Sequence, residues 1–198
     1  MKEEDYDIIP VSSSALVFIT HKDNPVTDLS IVQLKDIYTG DIENWKDVGG
    51  NDSLILAFQS SESPYCDEEM KASLMGDAPF CLSPLGYGSY YPRPLAKSQI
   101  QNPCYINTPS SIGYTFSFNL KTEYSNMKDL KVLSVNGWYP SEENILNQYY
   151  RFETKYYAAI RKDEPTDSIY RKLVDFLIST DEGHELMRNV GYYTNGDK

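Results

Sequence analysis

The order of apolar runs along this chain predicts an α/β fold. Three observations carry that prediction. Residues 54–58 and 130–135 are apolar runs of strand length set between polar loops. Ile31, Leu34, Ile37 and Tyr38 recur at helical spacing, and so do Ile169, Leu173, Phe176 and Leu177. Strand-like and helix-like stretches therefore alternate, the pattern of an α/β protein, with no internal repeat, low-complexity tract or heptad seam.

Each element follows from local chemistry. Ile8 and Ile9, and then residues 15–20, read as extended segments flanking a bend at Ser12, Ser13 and Ser14; Asn24 and Pro25 end the second. Asp28 or Ser30 caps the helix through residues 31–38, and Gly40 stops it. Asn44, Trp45 and the Gly49-Gly50 pair mark a turn. After the strand at 54–58, residues 67–75 form a helix with Met70 and Leu74 one turn apart and Gly76 as its stop. Residues 76–109 carry Pro at 79, 84, 92, 94, 103 and 109, which makes the stretch loop-rich. Ile112, Tyr114, Phe116 and Phe118 alternate with smaller or polar residues, as in a half-buried strand. Residues 130–135 are one further strand. Ser141, Glu142 and Glu143 open a short helix with acids at its positive end, and residues 152–160 return as a Tyr-rich extended run. Thr166 or Asp167 caps the helix bearing Ile169, Leu173, Phe176 and Leu177. Asp181 caps a last one, through Leu186 and Val190 to Gly191.

Composition narrows the function classes. With 198 residues the chain can bury roughly 70% of the surface its unfolded form exposes, so it needs no covalent staples. Acidic residues outnumber basic ones 29 to 18, for a net charge of -11, and the basic residues are scattered. A nucleic-acid partner or an anionic-membrane patch is not expected. Residues 15–19 are the longest strongly apolar run, far short of the ~20 residues a membrane span requires, and Met1 to Asp5 resemble no secretion signal. Cys66, Cys81 and Cys104 cannot all pair with one another; they read as free and partly buried, with a Cys81–Cys104 bridge as the alternative in an oxidising compartment. His21 and His184 lie far apart without ligand-type neighbours, and His184 reads as solvated. Acids follow Cys66 and raise its pKa rather than activating it. No metal, cofactor or catalysis is predicted. Seventeen tyrosines and two tryptophans read chiefly as core and surface, with an aromatic cleft as the minority alternative.

Residues 25–50, PVTDLSIVQLKDIYTGDIENWKDVGG, carry a more specific signal. They closely resemble the phosphate-type solute-binding proteins of bacterial ABC transporters, in which NPV, a QL-containing helix ending in Gly, and NW-x-D-V-G-G follow in this order. The resemblance continues through Ser111-Ile112-Gly113-Tyr114, Val135-Asn136-Gly137 with Pro140 and Glu143-Asn144-Ile145, Arg161 to Pro165, and Gly191-Tyr192. It implies a type II periplasmic-binding fold: two lobes joined by two crossing strands, with a small ligand between them. The segment 14–24 would be the first crossing and residues 152–160 the second. Residues 26–150 would form the second lobe, and 1–25 with 151–198 the remainder of an incomplete first lobe. The resemblance also implies an extracytoplasmic, often lipid-anchored monomer that delivers its ligand to an ABC permease.

In that family a loop bearing an arginine, an acid and a Gly-Ser-rich run opens a helix and binds the anion. By position, Ser60 stands here for the arginine, Glu62 keeps the acid, and Pro64, Tyr65 and Cys66 replace the small residues. Pro64 removes a backbone donor, and Asp67, Glu68 and Glu69 put negative charge at the helix start. Tight phosphate binding is therefore not expected. Ser60, Ser61, Glu62, Ser63, Ser14, Thr108 and Ser110 are the candidate ligand-binding residues; the first four suit a neutral or cationic ligand, with an ordinary polar loop as the alternative, and Thr108 and Ser110 face the same cleft or form a surface turn. Two functions follow: a non-catalytic solute receptor, or a degenerate binding fold serving as a sensor or protein-interaction module.

Overall fold

A computed structural model describes residues 3–58, 64–80, 108–122 and 125–194. Strand β1, Tyr6–His21, runs 16 residues without a break, where the three serines predicted a bend. The serines stay extended because the strand is paired along most of its length. From Tyr6 to Ala15 it lies antiparallel to β7 (Glu153–Arg161), from Leu16 to Thr20 antiparallel to β4 (Ser111–Phe116), and from Ile19 to His21 antiparallel to β5 (Leu130–Val132). The irregularity falls earlier, as a bulge between Pro10 and Ser12, where proline brings no N–H to the ladder. β3 (Leu56–Ala57) joins β4 in parallel, so the order is β3-β4-β1-β5, with β7 on the first half of β1.

A two-stranded parallel sheet pairs β2 (Asp28–Leu29) with β6 (Ser134–Val135). The single strand expected at 130–135 is thus two: Leu133 N–H donates to the Phe18 carbonyl at 2.9 Å, and the chain then changes sheets. β4 also differs from its expectation. All six of its residues are buried rather than half of them, because the strand is central, flanked by β1 and β3, and the chain turns at Ser117 into helix α3 (Ser117–Lys121).

The core forms where β1 and β4 meet the helices. Phe18 packs edge-on to Phe152 (5.4 Å between ring centres), and Tyr38 edge-on to Tyr114 (5.5 Å). Helix α1 (Ile31–Thr39) supplies Leu34, Ile37 and Tyr38 to it. Ser30, not Asp28, is the cap: Ser30 and Gln33 close a reciprocal capping box, while the Asp28 carboxylate accepts the Gly137 N–H at 2.7 Å. Gly40, at φ 87°, ends the helix as expected. Trp45 opens a 3-10 turn, Trp45–Val48, capped by Asn44, and its indole donates to the Ser110 carbonyl at 2.9 Å.

Helix α2 (Pro64–Met70) begins three residues before the expected Asp67, because Pro64 is preorganised for a first helical position; it passes into a π turn, Lys71–Met75. Cys66, Met70, Leu74 and Met75 are buried. Cys81 and Cys104 lie outside the described residues. Helix α4 (Glu142–Leu146) starts at its predicted cap, Ser141.

Helices α5 (Ile169–Ser179) and α6 (Asp181–Asn189) are capped one residue later and one residue earlier than expected, by Ser168 and Thr180. Ser168 N–H bonds the Pro165 carbonyl, so Thr166 and Asp167 are spent in that turn. His184 is buried, not solvated, and its Nε2 lies 3.0 Å from the Ile178 carbonyl. Gly183 makes this possible by letting α6 cross α5 at backbone contact. The stripe Ile169, Leu173 and Phe176 does share one face of α5, but that face is exposed and Val174 is the buried residue.

Candidate functional site

Register places a polar surface where β1 and β7 run side by side. Ser12 pairs with Tyr156 and Ser14 with Thr154. Alternate residues of a strand project to one side, so these four share a face. Ser13 projects to the other, where its hydroxyl donates to Glu153 Oε1 at 2.7 Å. The chain's tail straps the same place: Ser13 and Tyr193 exchange both backbone hydrogen bonds at 2.8 Å. That bridge stacks Tyr192 on Phe118 (5.0 Å) and sets it edge-on to Tyr156 (5.2 Å). Ser14 is fully buried, and its Oγ lies 2.9 Å from Ser117 Oγ, which also accepts the Ala15 N–H at 3.2 Å.

Helix α2 approaches this face and makes it electronegative. Its first turn carries Asp67, to which the Tyr114 hydroxyl donates at 2.5 Å. Burial pushes the Glu69 carboxyl above its usual range; the nearby Thr154 hydroxyl, which makes no well-formed hydrogen bond, offsets only part of that. The Tyr156 phenol is also pushed up, by burial first and then by Tyr192, Cys66 and Glu69. Among the described residues, the Ser12 and Thr194 hydroxyls are buried without hydrogen-bond partners. In this arrangement the Glu69 carboxyl takes up a proton more readily than an exposed carboxyl would.

A pH-dependent consequence follows. Raising a carboxyl's folded pKa favours the protonated form in the fold, so the stabilisation is complete below the unfolded value, near 4.5, and is lost as pH rises through the folded one. Glu69→Gln should therefore raise the melting temperature at pH 7 and leave it unchanged near pH 4. Thermal unfolding at the two pH values checks this; equal shifts at both would mean that ionisation of Glu69 is not involved.

The structure divides the candidate residues. Ser60, Ser61, Glu62 and Ser63 lie outside the described residues. Their flanks are set, with Phe58 N–H donating to the Ile112 carbonyl and α2 starting at Pro64. Ser14 sits beside the C-terminal end of β4, against Ser117. Thr108 and Ser110 precede the other end of that strand, roughly 17 Å away by strand rise. Thr108 Oγ1 lies 3.1 Å from Ser111 Oγ, and the Ser110 carbonyl accepts from both Trp45 Nε1 and Leu56 N. Thr108 and Ser110 thus lock a turn and do not join Ser14. Sequence reasoning missed Thr154 and Ser117 as neighbours of Ser14, and the Glu69 carboxyl as a neighbour of Thr154. The two-residue alternation of Thr154 and Tyr156 was the available signal, but only pairing with β1 shows which face it serves. Among the described residues, no group of three or more His, Cys, Asp and Glu gathers as a metal site would, and no helix is long and apolar enough to cross a membrane.

The profile of the PBP superfamily domain matches residues 3–181. The chain belongs to this superfamily. Among relatives, the phosphate-binding protein PstS of Borreliella burgdorferi is 26% identical over 185 residues, covering 90% of this chain and 62% of that protein. PstS of Bacillus subtilis is 27% identical over 189 residues, covering 95% of this chain and 56% of that protein. A solved phosphate ABC transporter substrate-binding protein with bound phosphate, from Clostridium perfringens, superposes with a TM-score of 0.68 at 26% identity, covering 95% of this chain and 71% of that one. This PBP chain thus spans about 60% of the length of the curated relatives it matches. Its PstS-like character and its α/β fold of the periplasmic-binding class agree with the resemblance carried by residues 25–50.

Proposed function

We propose that this PBP chain is the solute-binding component of an ABC-type uptake system, non-catalytic and extracytoplasmic, and that phosphate is not its tight ligand. Superfamily membership and the similarity to PstS support the receptor role. In this reading residues 26–150 form one lobe, residues 1–25 with 151–198 belong to the other, and β1 and β7 are the crossings about which the lobes close on a small ligand before docking on a permease. The residues Ser60 to Ser63 and Ser14 contact the ligand. Thr108 and Ser110 act at a distance, by holding the start of β4.

One observation carries the doubt about phosphate. The helix that should present positive potential to an anion begins with Pro64 and carries Asp67, Glu68 and Glu69, with Glu69 partly buried. Losing a charge-assisted bond costs about 1.5–3 kcal/mol. Added repulsion brings the loss of affinity to roughly a hundredfold to ten-thousandfold. A receptor saturated at a hundred times its dissociation constant gains about 2.7 kcal/mol of stability. Thermal unfolding should therefore show no shift with 1 mM phosphate and a clear one with a neutral or cationic solute. Micromolar phosphate affinity by calorimetry would sink this reading. A second reading, a binding fold kept as a protein-interaction module, is favoured by the exposed apolar stripe of α5; it predicts no response to any solute in such a panel.

A further inference from the structure

Orphaned hydroxyls gather on one side of the ribbon that β1 forms with β7. Ser12 and Thr154 stand on the face that Ser14 and Tyr156 share, as diagonal neighbours on adjacent strands. Ser13 and Tyr193 exchange both backbone hydrogen bonds, so the residues beside them, Ser12 and Thr194, oppose each other on that same face. Among the described residues, Ser12 Oγ, Thr154 Oγ1 and Thr194 Oγ1 are buried without a hydrogen-bond partner, and Ser12 and Thr194 are only 8% and 2% exposed. Burying one such group unpaired is destabilising. A fold that keeps three together bears a cost that an occupant would remove.

The rest of the face selects the occupant. Helix α2 packs against β1 and β4, and its Glu69 carboxyl acts on both Thr154 and Tyr156. The rings of Tyr156 and Tyr192, edge-on at 5.2 Å, wall the same side. A protonated amine suits every one of these groups: it donates to hydroxyl oxygens, is attracted by the Glu69 carboxylate and is drawn to an aromatic ring. A neutral polyol lacks both attractions, and an anion meets repulsion from Glu69. A donor set made chiefly of hydroxyls suits a metal ion poorly.

We infer that this face holds a small organic ammonium ion, with its nitrogen between Glu69 and Thr154 and a second hydrogen-bonding group of the same molecule between Ser12 and Thr194. Diagonal neighbours lie about 7–8 Å apart, and two hydrogen bonds of about 2.8 Å each leave room for polar ends joined by an arm of about two carbons. The burial that pushes the Glu69 carboxyl up agrees with this, since a cation beside it would favour the carboxylate again. The assignment depends on the receptor reading, whose solute it narrows to one class.

The test sets three probes of equal length against the 198-residue chain: ethanolamine, ethylene glycol and glycolate, which are a cation, a neutral diol and an anion. Each is titrated to roughly 50 mM at fixed ionic strength, since molecules of this size bind no tighter than about tens of micromolar. Only ethanolamine should raise the melting temperature, and its methylene protons should give nuclear Overhauser contacts to the Tyr156 ring. Glu69→Gln should weaken ethanolamine about tenfold to a hundredfold. Ser12→Ala with Thr194→Val should raise the melting temperature of the ligand-free protein, because buried unpaired hydroxyls are removed, and should lower ethanolamine affinity about tenfold. A purely structural role for the two hydroxyls would not produce that opposed pair of effects. Ethylene glycol or glycolate acting as strongly as ethanolamine overturns the inference and leaves the receptor reading standing, whereas micromolar phosphate affinity strikes that reading itself. A loss of ligand-free stability in the double variant would show that water already pairs the hydroxyls. That result, or no response to ethanolamine, also overturns the inference.

Discussion

Trp45→Ala should lower the stability of the chain by about 3–5 kcal/mol, the range for removing a large buried aromatic. Trp45 is the largest of the fully buried side chains, and it ties three segments together. Its indole N–H holds the Ser110 carbonyl ahead of β4, its Cβ lies against Gly50, and Val26 closes over the same spot. Truncation opens a cavity and removes one of the two donors to Ser110. Since domains of this size are stable by only about 5–15 kcal/mol, the variant should melt far below the parent. Trp45→Phe keeps much of the apolar contact and loses the hydrogen bond, so about 1–2 kcal/mol is expected. Urea unfolding with an unchanged m-value measures both. A loss below about 1 kcal/mol in the alanine variant would show that the turn after α1 does not anchor the core.

Gly183→Ala should destabilise by about 2 kcal/mol net, and locally. A methyl group there would lie 2.1 Å from the Phe176 carbonyl oxygen and 2.9 Å from Leu177 Cα, backbone atoms that cannot swing aside. Relieving that clash parts α6 from α5 and costs about 3 kcal/mol. Alanine's better helix propensity returns about 1 kcal/mol, too little to reverse the sign. His184 would lose the Ile178 carbonyl, and α6 amides should exchange faster while those of β1 and β4 do not. Unchanged exchange in α6 would mean that the helices can part freely.

Local chemistry made several elements legible. Ser30, Gln33 and Gly40 bound α1 because capping depends on residues within one turn. Ser141 opened α4 for the same reason. Where two neighbouring residues could each cap, the choice lay in contacts distant in sequence: Asp28 is drawn away by Gly137, and Thr166 and Asp167 are used up in the turn that Pro165 begins. The continuity of β1 was hidden for a similar reason. Three serines favour a bend in isolation, but β7 on one edge and Tyr193 on the other hold them extended. At the candidate site, the absence of a basic residue from Gln59 to Glu69 is plain from residue types. The company that Ser14 keeps, Ser117 and Thr154, comes from segments more than a hundred residues away.

By itself the order of residues determined the class of fold, the superfamily and the acidic character of helix α2, because these depend on periodicity, motif and charge carried within short stretches. Tertiary structure alone decided burial. The stripe of Ile169, Leu173 and Phe176 has the pattern of a core face and lies in solvent, whereas His184, with the pattern of a surface residue, is enclosed by the α5–α6 crossing. Periodicity states which residues share a face; only the neighbours a face meets decide whether water is excluded from it.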